Sequence, residues 1–74
     1  MSNKNYWTSP RDGQWAVKRE GADRASSLHS TQAEAWNEAR RLARGSRGEA
    51  LLQGEDGRIR ARNTYGKDPF PPRG

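Results

Sequence analysis

Residues 30–45, Ser-Thr-Gln-Ala-Glu-Ala-Trp-Asn-Glu-Ala-Arg-Arg-Leu-Ala-Arg-Gly, decide the fold of this 74-residue chain. We expect a single α-helix here because both of its ends are marked. Thr31 is the expected N-cap, since its hydroxyl can accept a hydrogen bond from the backbone N–H of Glu34, whose carboxylate can reach back to the N–H of Thr31. Gly45 is expected at the C′ position, where the chain turns left-handed and a Cβ would clash.

This helix is predicted to be amphipathic. At about 100° per residue, its apolar side chains fall on one stripe, formed by Ala35, Trp36, Ala39, Leu42 and Ala43. Arginines lie off the stripe near the end of the helix, where positive charge opposes the macrodipole. The stripe requires an apolar surface on which to pack.

Alternating residues before the helix predict a β-hairpin. Residues 6–9 and 14–20 are the expected strands, and Pro10-Arg11-Asp12-Gly13 is the expected turn between them. In the second strand, Trp15 and Val17 share one face while Ala16 and Lys18 share the other. Residues 25–29 form either a short third strand with Leu28 facing inward or an extended lead-in to the helix.

A second hairpin is expected after the helix. Residues 49–53 and 58–62 are its strands, joined by Gly54-Glu55-Asp56-Gly57. In the last strand, strict alternation would place Ile59 and Ala61 on one face. The other face would then carry a row of arginines at positions 58, 60 and 62.

The predicted order is β-β-(β)-α-β-β, an α+β domain in which one amphipathic helix packs on one face of a small antiparallel sheet. We expect the domain to span residues 6–66, after a disordered segment 1–5 and before a Pro-rich extended tail 67–74. Only 30% of the residues are apolar, so the core must rest on a few large side chains. The candidates are Trp7, Trp15, Val17, Leu28, Trp36, Leu42, Leu51, Leu52 and Ile59.

Four segments, in this order and spacing, carry a resemblance to a bacterial family. They are Trp15-Ala-Val-Lys-Arg-Glu-Gly-Ala-Asp-Arg-Ala-Ser, Thr31-Gln-Ala-Glu-Ala, Gly57-Arg-Ile-Arg and Tyr65-Gly-Lys-Asp-Pro. Together they resemble the small family catalogued as domain of unknown function 2188. The resemblance implies a compact single-domain bacterial protein. It brings no established activity, cofactor or catalytic residue to any position.

The composition argues against several classes of function. The chain contains no cysteine, so it has neither a disulfide framework nor a thiolate metal site. It shows no apolar run of membrane-spanning length and no signal-peptide pattern at its N-terminus, so we expect a cytoplasmic protein without a membrane partner. Its single histidine, His29, has no evident catalytic partners. We expect no catalytic residue, no metal, no cofactor and no enzymatic activity.

The charge points to an anionic partner. Fourteen basic residues oppose nine acidic ones, for a formal net charge of +5, and such a balance is typical of proteins that bind DNA or RNA. Arginine can fork onto phosphate without reading sequence. The candidate contacts are Arg40, Arg41, Arg44, Arg47, Arg58, Arg60 and Arg62, with Tyr6, Trp7 and Tyr65 as possible base-stacking residues. The competing interpretation is that these arginines only solvate exposed faces.

A protein-interaction module is the alternative function. The segment Pro69-Phe70-Pro71-Pro72-Arg73 fits a Pro-x-x-Pro pattern of the kind that aromatic-lined grooves bind. A sheet edge could also pair with another protein, or with a second copy of the chain to form a homodimer.

Overall fold

The computed structural model of the protein describes residues 4–65, which form a five-stranded sheet with one helix packed against it. The elements are β1 (Tyr6–Arg11), β2 (Gln14–Arg19), β3 (Ser27–His29), α1 (Gln32–Ser46), β4 (Glu49–Gln53) and β5 (Ile59–Thr64). The predicted α+β architecture is confirmed, and the open question about residues 25–29 is resolved in favour of a short strand. The predicted tail 67–74 lies outside the described residues.

Strand β1 occupies the centre of the sheet. The strand order is β3-β2-β1-β4-β5, and β1 pairs in parallel with β4 while the other neighbouring strands are antiparallel. The parallel pair arises because α1 carries the chain from β3 across β2 and β1 to the far side of the sheet, where β4 begins. Such a crossover returns the chain in its original direction, as parallel pairing requires.

The helix begins as expected and ends later. Thr31 caps it by accepting from the N–H of Glu34 at 3.2 Å, as predicted. The Glu34 carboxylate accepts from Ser30 Oγ at 3.4 Å instead of from the Thr31 N–H. The prediction that Gly45 occupies C′ is wrong: the helix continues to Ser46, and Arg47 takes the left-handed conformation with φ 61°. The N–H of the following residue, Gly48, bonds to the Ala43 carbonyl at 2.9 Å, as in a Schellman cap.

The first turn is tighter than the sequence suggested. Pro10 does not form its first corner but lies within β1 opposite Trp15. Only Asp12 and Gly13 connect the strands, and both have positive φ (50° and 82°), as a two-residue type I′ hairpin requires. Proline is tolerated here because β4 pairs with β1 only as far as Thr8, so on that side of β1 there is no β4 partner for a backbone donor at position 10.

The core between helix and sheet is built mainly from small side chains. Ala35, Ala39 and Ala43 face Val17 and Ala50, and all five are fully buried. Larger side chains pack around this cluster and are partly buried: Tyr6, Trp15, Trp36, Leu42 and Tyr65. The predicted apolar stripe is therefore confirmed, and its alanines let the helix approach the sheet closely.

The described fold includes two residues that the sequence assigned to a disordered segment. The Lys4 carbonyl accepts from Ser46 Oγ at 2.9 Å. Asn5 accepts from the Glu49 N–H through its side-chain oxygen at 2.9 Å and from the Glu20 N–H through its backbone at 2.8 Å. These bonds tie the start of the domain to the end of the helix and to two strands.

Candidate nucleic-acid interface

The sheet has one face that α1 does not cover, which we call the open sheet face. Cross-strand neighbours share a face, and Val17, on the covered face, lies opposite Thr8. The alternate residues of each strand therefore point to the open face. The face includes one row across the sheet, Lys18–Trp7–Leu51–Arg62, and beside it the groups Leu28–Ala16–Ser9 and Gln53–Ile59.

Four residues predicted for the core lie on this open face instead, namely Trp7, Leu28, Leu51 and Ile59, and two of them are exposed. Leu28 is 51% exposed and Ile59 is 49% exposed. Leu28 pairs with Ala16 and Ile59 pairs with Gln53, so both point away from the helix and stand on the two outermost strands. The prediction that Leu28 faces inward is therefore wrong. Strand periodicity alone does not say which of the two faces the helix will cover.

Trp7 lies near the middle of the open face, on the central strand. Its indole is partly buried, and its Nε1–H donates to Glu20 at 3.4 Å. It lines a surface concavity of about 420 Å³ together with Ser9, Lys18 and Gln53, and the rim continues through residues 19–22. Trp7 is thus the aromatic candidate with an accessible setting.

The two tyrosine candidates occupy a different place. Tyr6 and Tyr65 are partly buried and pack against the alanine core on the covered side. The Tyr65 hydroxyl accepts from Asn63 at 3.3 Å and its backbone N–H bonds to Gly48 at 2.9 Å. Their packing assigns both tyrosines to the helix side of the sheet, away from Trp7.

The predicted arginine row on β5 is wrong because a β-bulge interrupts the strand. Gln53 pairs with Ile59 whereas the neighbouring Leu52 pairs with Ala61, which leaves Arg60 as an extra residue. Ile59 and Ala61 consequently lie on opposite faces. Arg58 precedes the strand. No single face carries all three arginines.

Each of these three arginines lies near a carboxylate. Asp56 is 3.9 Å from Arg58 Nε and 3.7 Å from Arg60 Nη2, and Glu49 is 3.9 Å from Arg62 Nε. Arg60 also lies against Gly54, where an added Cβ would overlap its side chain, and faces a concavity shared with Trp15. Solvent-exposed pairs at these distances are weak, but they reduce the charge offered to a partner.

On the helix, two of the four candidate arginines are engaged by neighbours. Arg41 forms a two-pronged pair with Glu38, with Nη2–Oε2 at 2.6 Å and Nε–Oε1 at 3.0 Å. This hydrogen bond holds the pKa of the Glu38 carboxyl below its ordinary value and raises the pKa of Arg41. Arg40 lies over the Trp36 ring, 5.5 Å from its centroid, and donates to Asn37.

Arg44 and Arg47 are exposed at the end of the helix, and neither forms an ion pair within residues 4–65. The helix ends beside the start of β1, as the Ser46–Lys4 bond shows. The end of β2 is there too, because Arg19 pairs with Tyr6. We call Lys4, Arg19, Arg44 and Arg47 the basic end of the domain.

The sequence reasoning did not select Lys18 or Arg19. Both line the Trp7 concavity, and Lys18 is Trp7's direct neighbour across β2. The alternation in β2 placed Lys18 on the sheet face opposite to that of Trp15, so the face of Lys18 was predictable. Its position beside Trp7 was not, because that depends on the hairpin register.

The histidine lies outside these surfaces. His29 is partly buried at the end of β3, and its Nε2 is 2.8 Å from the hydroxyl of Ser27, two residues away on the same strand. Within the described part of the chain, no cluster of three or more potential metal-ligating side chains occurs. The only helix described, α1, is too short and too polar to cross a membrane.

Comparison with known proteins assigns a family without a function. Neither the curated proteins nor the solved structures contain a match. A family model described as an uncharacterized protein conserved in bacteria matches residues 6–65, which include all six elements of the fold. The chain therefore belongs to the bacterial family DUF2188.

Proposed function

We propose that this protein is a small cytoplasmic nucleic-acid-binding protein that holds DNA or RNA chiefly through phosphate contacts. The observation that carries the proposal is the basic end. There Arg44 and Arg47 are exposed and lack carboxylate partners among residues 4–65, and Lys4 and Arg19 lie beside them. Arginine side chains of this kind bind phosphate oxygens irrespective of base sequence. DNA and RNA are both present in the bacterial cytoplasm.

The surrounding carboxylates support this choice of surface. Glu20 accepts from Asn5 and Trp7, and Glu49 accepts from Thr64 and lies near Arg62. These acids are thus occupied by neighbours other than Arg44 and Arg47. The positive charge of the basic end remains available to a polyanion.

The test is a titration of labelled DNA and RNA with the protein at two salt concentrations. We expect binding at about 50 mM salt that weakens steeply by 200 mM, because each phosphate contact releases a condensed counterion. The double variant Arg44→Glu/Arg47→Glu should bind more weakly and reduce the slope of log K against log salt by about two. Absence of binding by the wild-type protein at low salt would refute the proposal.

The matched control is Arg58→Glu/Arg60→Glu. Both double variants lower the formal net charge from +5 by the same four units, but Asp56 already lies within 4 Å of Arg58 and Arg60. We expect the control to lose less affinity than the variant at the basic end. Equal losses of affinity in the two double variants would show that binding depends on net charge and not on the basic end. Thermal unfolding of both variants checks that each remains folded.

A protein-binding adaptor is the alternative. Its available sheet edges are the outer strands β3 and β5. Strand β3 has only three residues, and β5 carries arginines, which are features that keep an edge from pairing with another chain. The Pro-rich segment 67–74 lies outside the described residues. The described edges therefore favour nucleic acid over a strand-pairing partner or homodimer.

A further inference from the structure

We infer that the open sheet face binds single-stranded nucleic acid, with a base stacked on the indole of Trp7 and the backbone held by Lys18 and Arg62. The inference rests on the proposed function and goes further by naming the form of nucleic acid and the residue that contacts a base. It is carried by the position of Trp7 on an uncovered sheet face between Lys18 and Arg62, with its indole N–H held by Glu20.

The arrangement around Trp7 suits a flexible single strand. Lys18 stands one strand away on one side, and Arg62 stands two strands away on the other, beyond Leu51. At a strand spacing of about 4.8 Å, these cations flank the indole at roughly 5 and 10 Å between backbones. A base on Trp7 would therefore have Lys18 within side-chain reach on one side and Arg62 on the other. The Arg62 side chain remains 57% exposed although its Nε lies 3.9 Å from Glu49.

The concavity beside Trp7 provides the room. Its volume of about 420 Å³ lies within the range of about 300–1,000 Å³ that is usual for small-molecule sites. Ser9 and Gln53 line it, and their hydroxyl and amide groups can bond to the Watson–Crick edges of bases, which are free only when a strand is unpaired. A duplex uses these edges in base pairing and buries the faces of its bases in the stack, so the site discriminates against duplexes.

Charge and connectivity identify the occupant. Lys18 has no ion-pair partner within residues 4–65. Arg19 belongs both to the rim of the concavity and to the basic end, so a phosphate backbone can pass from one to the other.

The test compares 12-nucleotide oligo(dT) and oligo(rU) with a 12-base-pair duplex by fluorescence anisotropy. We expect the wild-type protein to bind the single strands at least tenfold more tightly than the duplex. Trp7→Leu, which keeps an apolar side chain over Leu51, should weaken single-strand binding by about 5- to 150-fold, the effect of losing one stacked base. Trp7→Phe should retain most of the affinity, and duplex binding should change little in either variant.

Indole N–H resonances give a second measurement that does not depend on affinity. In a ¹H–¹⁵N spectrum, the Trp7 signal is identified by its loss in Trp7→Leu. We expect oligo(dT) to shift this signal more than those of Trp15 and Trp36, which pack against the alanine core. The spectrum of the variant also reports whether it remains folded.

The outcomes separate this inference from the proposed function. Equal binding of single strand and duplex, with no effect of Trp7→Leu and no shift of its indole signal, would overturn the inference and leave phosphate binding intact. No binding of any oligonucleotide would overturn both. A dimer in sedimentation that Trp7→Leu dissociates would show that a second copy occupies the face, and would also overturn the inference.

Discussion

The Thr8 hydroxyl is buried in the centre of the molecule without a hydrogen-bond partner among the described residues. It lies on β1 opposite Val17, under the helix. An unpaired hydroxyl in such a site costs about 1–3 kcal/mol. We expect Thr8→Val to raise the free energy of unfolding by about 1 kcal/mol, because valine keeps the shape, favours a strand and removes the polar atom. The corresponding rise in melting temperature is about 4–8 °C.

Thr31→Val is the matched control for this change. It makes the same substitution where the hydroxyl is used, since Thr31 Oγ1 caps α1 by accepting from the Glu34 N–H at 3.2 Å. Loss of this cap should lower the free energy of unfolding by about 1 kcal/mol. Chemical denaturation measures the free energy of unfolding of both variants. A destabilising effect of Thr8→Val would contradict the conclusion that the Thr8 hydroxyl is buried without a partner.

Two glycines near the end of α1, Gly45 and Gly48, have different structural surroundings. Gly45 lies inside the helix with open space around its Cα, whereas a Cβ on Gly48 would overlap the Lys4 carbonyl. Gly45→Ala should therefore stabilise the protein by about 0.5–1 kcal/mol, because alanine is the better helix residue. Chemical denaturation measures this, with Gly48→Ala expected to be destabilising. Destabilisation by Gly45→Ala would restore Gly45 to the left-handed C′ position that the sequence suggested.

The face that each β5 side chain occupies depends on how β5 pairs with β4. The alternation Arg-Ile-Arg-Ala-Arg predicted a three-arginine row, and the bulge opposite Leu52 and Gln53 dispersed it. A single extra residue reverses the face of every side chain on one side of it. Nothing within residues 58–62 announces the bulge, because it belongs to the pairing of two strands.

The whole molecule depends on a thin layer of alanines between helix and sheet. Ala39 is fully buried at the middle of this layer, and Ala33 lies exposed on the same helix. Ala39→Leu should lower the free energy of unfolding by about 1–3 kcal/mol, because the extra atoms push the helix from the sheet. Ala33→Leu is the control and should leave thermal stability nearly unchanged. Equal effects of the two variants would contradict the close helix–sheet packing.

The Glu38–Arg41 pair adds a small pH dependence to the stability of the molecule. Because the pKa of Glu38 is lower in the folded protein than its ordinary value, its contribution is present at neutral pH and is lost as the pH falls through the folded pKa. Both side chains are solvent-accessible, so the contribution is modest.

Local signals along the chain determined the helix, its Thr31 cap, its alanine-rich stripe and the presence of two hairpins. Caps, turns and periodicity act over a few residues, and therefore leave a pattern in the sequence. The alternation of β2 likewise predicted that Trp15 and Val17 face the helix, as they do. The candidate site was predicted only as a set of arginines.

Tertiary structure alone decided which sheet face stays uncovered, and so where Trp7, Leu28 and Ile59 lie. Those positions depend on β1 being central and on α1 crossing to β4, contacts between residues more than forty positions apart. Pairing within the two hairpins decided the rest: the bulge between β4 and β5 dispersed the β5 arginines, and the register of β1 and β2 brought Lys18 beside Trp7. A bulge and a hairpin register are properties of two paired strands, and the alternation within one strand does not record them.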